Sequence, residues 1–174
     1  MNKITLRELT AAAVVAALYA VLSLLSNVLG IAFGPLQCRF SEALALLPLL
    51  LPSSGWGLTV GCLLTNILSP YGLTDLVVGT LATFLAARLT GRCRSPYLGA
   101  LPPVVCNAAL VGALLAAQQT GLSPAFPAAF AYQALTVGLG EAVACYGLGV
   151  PLLRLLQKQL PALLSGGNGT FPKK

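Results

Sequence analysis

Long apolar runs, broken at short intervals by glycine, proline and isolated polar residues, set the pattern of this chain. The first runs from about Leu9 to Gly30. It opens with Thr5 and, three residues later, Glu8, the spacing of a capping box. It is too long for the apolar core of a signal peptide, so it reads as a retained first transmembrane helix. Asn27, Gly30 and Gly34-Pro35 end it. A second, short segment spans about Ser41 to Leu51, ahead of the tight turn Pro52-Ser53-Ser54-Gly55. The third, about Trp56 to Leu68, carries Gly57 and Gly61 at GxxxG spacing. After Ser69-Pro70-Tyr71-Gly72 the fourth runs from about Thr74 to Leu89. The fifth, about Pro96 to Gln118, contains Pro102-Pro103, which must kink it or delay its start. A Gly, Ser and Pro-rich loop then leads to the sixth, about Ala128 to Gln157. A spanning helix takes roughly 20 apolar residues, so the second segment is short. Either it is tilted or the loop before it lies at membrane depth, which irregular backbone tolerates only beside a protein-enclosed cavity.

Composition turns this pattern into a class. The 174 residues are 57% hydrophobic and 8% charged, with a mean hydropathy of +0.86. A soluble domain must cover its surface with polar groups; this chain reads instead as an all-α membrane protein of six transmembrane helices. Residues 1–158 are expected to form the spanning domain and residues 159–174 a flexible basic tail. No room is left for a nucleotide-binding or catalytic domain. Histidine is absent, and Cys38, Cys62, Cys93, Cys106 and Cys145 form no C-x-x-C pair. Neither an enzyme, a metal centre nor a cofactor site is expected.

Charge fixes the orientation. Lys3 and Arg7 precede the first segment, Arg88, Arg92 and Arg94 surround the fourth-to-fifth connection, and Arg154, Lys158, Lys173 and Lys174 end the chain. With six crossings and both termini cytoplasmic, nine of the ten basic residues lie inside and only Arg39 outside, a strong positive-inside pattern. The net charge of +6 is then a topology signal that also suits lipid headgroups, not a nucleic-acid surface. Asn168-Gly169-Thr170 matches a glycosylation acceptor but falls on the cytoplasmic side. In the first segment Ala12, Ala16 and Ala20 form one small-residue stripe flanked by Ala13 and Ala17. Such stripes serve close packing inside a bundle or docking onto another membrane protein. No tandem or inverted repeat is evident, which argues against a carrier built from two inverted halves.

The rare polar residues at or near membrane depth are Gln37, Arg39, Glu42, Asn66, Asp75, Asn107, Gln133 and Glu141. Such groups normally face a bundle interior or a cavity, and their shared outer-half position predicts one cavity open to the outside. Each has a plainer explanation. Arg39 and Glu42, three apart, pair on one helix face; Asp75 caps a helix; Asn66 and Asn107 tie helices together. Glu141, deep in the sixth segment behind Gly138 and Gly140, has the weakest such explanation. Three carboxylates, Glu42, Asp75 and Glu141, face one guanidinium. Either protons neutralise the surplus acidity, or a donor-rich or cationic guest binds. A planar base with adjacent N–H donors suits a carboxylate, amides suit its carbonyl or ring nitrogen, and Tyr71, Phe126 or Tyr132 offers a face to stack on.

The runs Gln37-Cys-Arg-Phe-Ser-Glu-Ala-Leu44, Gly61-Cys-Leu-Leu-Thr-Asn-Ile-Leu-Ser-Pro70, Gly72-Leu-Thr-Asp75 with Gly79-Thr-Leu-Ala-Thr83, Pro103-Val-Val-Cys-Asn107 and Gly138-Leu-Gly-Glu-Ala-Val-Ala-Cys-Tyr-Gly-Leu-Gly-Val-Pro-Leu152 resemble the QueT family. These are queuosine-precursor transporters, substrate-binding S components of energy-coupling factor (ECF) transporters. The resemblance covers about residues 5 to 158; Trp56 and the Gly-rich tail depart from the pattern. It implies a multi-pass protein of the cell membrane with one outward-facing site and no ATPase of its own. Its partners would be a transmembrane coupling protein and two cytoplasmic ATPases, docked through Ala12, Ala16 and Ala20. Its substrate would be a 7-deazaguanine such as queuine or its aminomethyl precursor, held by the polar set above. Two other readings stand beside it: an S component for another vitamin, and a stand-alone proton-coupled carrier using Glu141 or Asp75.

Overall fold

The structure, a computed structural model, describes residues 5–32, 38–121 and 123–165, and among them there is helix and turn but no strand. Helix α1 is Leu6–Val28. The capping box forms: the Thr5 N–H donates to the Glu8 carboxylate at 2.9 Å, and the Glu8 N–H donates to the Thr5 hydroxyl at 3.3 Å. The short second segment is a 3-10 helix, Phe40–Leu49. Ten residues of 3-10 helix rise about 20 Å, against about 15 Å for α-helix. The tighter winding therefore lengthens this segment by about 5 Å. Its start is pinned to α1, where the Phe40 N–H donates to the Ser26 hydroxyl at 2.9 Å and Ser23 donates to Ser41 at 2.8 Å.

Helices α2, Ser54–Asn66, and α3, Gly72–Thr90, follow. Helix α4, Pro96–Thr120, breaks at Ala100 and restarts at Leu101, because Pro102 and Pro103 have no N–H to continue the ladder. Helix α5 is the run Phe126–Ala142, Val143–Gly149 and Val150–Ser165. Both α4 and α5 contain a π-helical stretch, Asn107–Val111 and Val143–Gly149. Among the described residues four helices are long and apolar enough to cross a membrane: Leu6–Val28, Gly72–Thr90, Pro96–Thr120 and Phe126–Gln159; Phe40–Leu49 is apolar but shorter.

The bundle is apolar outside and polar within. Val14, Leu18 and Val21 on α1, Val77 and Leu81 on α3, and Leu135 and Leu139 on α5 are exposed, while Glu42, Asn66, Asp75, Asn107 and Glu141 are buried. Soluble proteins do the reverse. At one end, the Arg88 guanidinium stacks over Trp56 and Phe84 at 5.7 and 5.2 Å, and Arg154 over Tyr97 at 4.9 Å.

Helices α1 and α2 meet backbone to backbone. A Cβ on Gly61 would lie 2.8 Å from the Ala16 carbonyl oxygen and 2.8 Å from Tyr19 Cβ, and one on Gly57 would collide with the Ala12 carbonyl. Ala16 is buried, and Ala12 and Ala20 are half-buried, so this stripe packs within the bundle; Ala13 and Ala17 stay exposed beside it. Gly61→Leu is expected to destabilise the protein by at least about 1–3 kcal/mol through overpacking, read as a lower Tm of the detergent-purified protein. An unchanged Tm would contradict this contact.

Candidate functional site

Arg39 sits in extended backbone, φ −106° and ψ 123°, just before the 3-10 helix. The shared helical face expected for Arg39 and Glu42 is therefore absent, and their partners differ from those the spacing suggests. The Arg39 guanidinium lies 4.0 Å from the Asp75 carboxylate and donates to the Asn66 amide oxygen at 3.3 Å. The Asn66 NH2 donates in turn to the Asp75 backbone carbonyl at 3.2 Å. Asp75 occupies the first turn of α3, where the helix dipole favours negative charge. It is more than a cap: it is 2% exposed and accepts from the Ser69 hydroxyl at 2.5 Å. One turn on, Gly79 leaves room for this cluster, since a Cβ there would stand 2.6 Å from the Asn66 amide nitrogen.

Glu42, 3% exposed in the first turn of the 3-10 helix, accepts a hydrogen bond from the Tyr19 hydroxyl of α1. Asn107 and Glu141 come from the other wall. The Asn107 NH2 donates to the Glu141 carboxylate at 2.7 Å, and the Cys145 thiol lies 3.6 Å from the Glu42 carbonyl and 3.9 Å from Glu141. Asn107 opens one π-helical stretch, and Glu141 lies two residues before the other. Such stretches recur at functional sites. Gly112 and Gly138 let these two helices close: a Cβ on Gly112 would lie 2.9 Å from Ala134 Cα, and one on Gly138 would lie 3.3 Å from Ala108 Cβ.

Arg39, Glu42, Asp75, Asn107 and Glu141 line one cavity, completed by Gly79, Thr83, Val111 and Val137. The water-sized space within it is about 20 Å³, room for one or two waters and too little for a bicyclic base. Three carboxylates and one guanidinium share this lining with two valines. That set can accept hydrogen bonds from a donor-rich or cationic guest. Among the described residues no group of His, Cys, Asp and Glu suits a metal ion.

The other candidates lie elsewhere. Asn66 stands behind the cavity wall, holding Arg39 and Asp75. Gln133 donates to Gln119 at 3.1 Å at an exposed end of the bundle and does not line the cavity. Gln37 lies outside the described residues. None of the three aromatic candidates lines the cavity: Tyr71 packs on the apolar cluster of Ala82, Val111 and Val137, Phe126 stacks on Phe130 at 6.1 Å, and Tyr132 is exposed. Tyr19 is not among the residues the sequence singles out, and Gly79 and Thr83 enter there only as part of a motif, not as site residues. Two patterns carried a signal for them: the hydroxyl series Tyr19, Ser23, Ser26 along α1, and the small series Gly79, Thr83 continuing four and eight residues past Asp75.

The model of the QueT transporter family matches residues 9–158. The queuosine precursor transporter QueT of Lactococcus lactis subsp. cremoris (strain MG1363) is 33% identical over 85 residues, which is 49% of this chain and 50% of that protein. The chain thus aligns with about half the length of this curated relative. No solved structure matches.

Proposed function

The chain belongs to the QueT transporter family, and from that premise we propose that it is the substrate-capture (S) subunit of an ECF-type importer in the cell membrane. It binds a 7-deazaguanine queuosine precursor, queuine or 7-aminomethyl-7-deazaguanine, from outside for uptake driven by partner ATPases. The observation that carries this is one cavity with three carboxylates, one amide and one guanidinium on its walls. A guanine-like edge presents adjacent N–H donors, which a carboxylate accepts as a parallel pair. Glu141 and Asn107 make the direct contacts with that edge, and an aminomethyl cation faces Glu42. Arg39, Glu42 and Gln37 form the outer rim, and Asp75 and Asn66 hold Arg39. Gln133 belongs to the approach rather than to the cavity.

The packing supports six crossings with both termini in the cytoplasm. Ala12 lies against Gly57 and Ala16 against Gly61, so α1 and α2 run in parallel, and the stretched 3-10 helix between them must return the chain across. The arginines at 88, 92, 94 and 154 then share the cytoplasmic side. Residues 1–158 form the spanning unit, and the basic residues of 159–174 stay inside. A transmembrane coupling protein docks on the lipid-facing side of α1. With Ala12, Ala16 and Ala20 turned toward α2, the small residues open to it are Ala13 and Ala17, among Val14, Leu18 and Val21.

Thermal-shift measurements on the purified protein test the substrate, because a ligand that binds only the folded state raises Tm. Stabilisation is expected with queuine and 7-aminomethyl-7-deazaguanine and not with unrelated vitamins; the opposite selectivity would replace the substrate. Uptake into liposomes is expected only with the coupling protein, its ATPases and ATP. Uptake by this chain alone under a pH gradient would make it a proton-coupled carrier.

A further inference from the structure

Among the described residues Tyr19 is the largest fully buried side chain, with none of its surface exposed. Its ring packs among Val15, Leu44, Leu47, Leu58 and Ala87, and its hydroxyl emerges from that cluster to donate to Glu42 Oε1. Glu42 lines the cavity and Tyr19 does not. A buried hydroxyl is costly unless it is bonded, so the pairing fixes the orientation of both groups. It also fixes what Glu42 offers. A carboxylate has two oxygens that only accept; with one held by the phenol O–H, the other remains to face the cavity as an acceptor. Glu141 and Asp75 share that cavity with Glu42, and their negative charge opposes its own. Arg39, the cation of the set, lies against Asp75. With that one cation shared among the acids, the Tyr19 hydroxyl is a further donor, from outside the cavity, that favours Glu42 as an acceptor.

We propose that Tyr19 is a positioning residue that holds Glu42 as a hydrogen-bond acceptor and thereby sets the preference of the site for a cationic over a neutral guest. The proposal rests on the substrate reading above and adds a residue outside the cavity to it. A seam of hydroxyls gives an internal control. One turn along α1, Ser23 donates to Ser41 at 2.8 Å, joining the same two helices without touching a carboxylate.

Calorimetric titration of the purified full chain with 7-aminomethyl-7-deazaguanine and with uncharged 7-deazaguanine decides the matter. Tyr19→Phe is expected to weaken the aminomethyl compound about tenfold, the scale of one charge-assisted hydrogen bond, and the uncharged one less than about threefold. In a Glu42→Gln background Tyr19→Phe should change neither, and Ser23→Ala should leave the ratio of the two affinities at its wild-type value. Equal losses for both ligands, no loss for either, or the same loss in the Glu42→Gln background would overturn the assignment. Should Tyr19→Phe fail to fold, Glu42→Gln alone decides, since unchanged selectivity there removes the role given to Tyr19. A wild-type chain that binds neither compound would overturn the substrate reading itself, a result distinct from any of these.

Discussion

Glu141→Gln is expected to weaken binding of 7-aminomethyl-7-deazaguanine by at least about 100-fold while leaving the protein folded. Glutamine keeps the shape of the side chain but replaces two acceptor oxygens and a charge with one acceptor and one NH2 donor. A donor edge that meets two oxygens of a carboxylate would then meet one oxygen and an opposing N–H. Hydrogen bonds to charged groups contribute about 1.5–3 kcal/mol each, and two of them lost together give two or more decades in affinity. The fold has reason to survive, because the Asn107 NH2 that donates to Glu141 at 2.7 Å can donate equally to the glutamine carbonyl. Calorimetric titration reports the affinity, and the Tm without ligand reports the fold. Wild-type affinity in a folded Glu141→Gln protein would remove Glu141 from the site.

Arg39→Met is expected to give the largest loss of stability in the molecule. Arg39 is the cation lining a cavity that also holds Glu42, Asp75 and Glu141. Removing one partner of a buried ion pair costs about 3–5 kcal/mol, because the remaining charge is left uncompensated. Asp75, 2% exposed and 4.0 Å from the guanidinium, bears that cost first. The effect is therefore expected to be non-additive: Arg39→Met with Asp75→Asn should be more stable than Arg39→Met alone. Thermal unfolding of the two variants and the wild type gives the comparison. A Tm for Arg39→Met equal to that of wild type would show that the cation contributes nothing to holding the acids together.

Much of this architecture is legible in the residues because charge and amide groups are so scarce. Each polar residue in an apolar run stands out, and Arg39, Glu42, Asp75, Asn107 and Glu141 line the same cavity. The capping box at Thr5 and Glu8, the break before Pro102-Pro103 and the close approach at Gly57 and Gly61 each follow from a local rule that needs no tertiary information. The 3-10 winding of Phe40–Leu49 does not, since ten residues are too few to separate a period of 3.0 from one of 3.6. With Arg39 left outside that helix, the spacing argument named Glu42 as its partner where the ion pair runs to Asp75, 36 residues further along the chain. The π-helical stretches add a residue to a turn and leave no mark in composition. Gln133 misleads because an amide near the outer end of a helix reads the same as one facing inward; its partner Gln119 lies beyond the connecting loop. Tyr19, Gly79 and Thr83 do not stand out as site residues because aromatic and small residues are the ordinary filling of a membrane bundle.

The glycines at 57 and 61 have a mechanical consequence. At these two positions α2 presents no side chain, so its main chain lies directly against Ala12 and Ala16 of α1. Packing this close favours the two helices moving as one body, and Tyr19, Ser23 and Ser26 tie the start of the 3-10 helix to it. Any displacement of this pair of helices would carry Glu42 with it, because the Tyr19 hydroxyl holds its carboxylate.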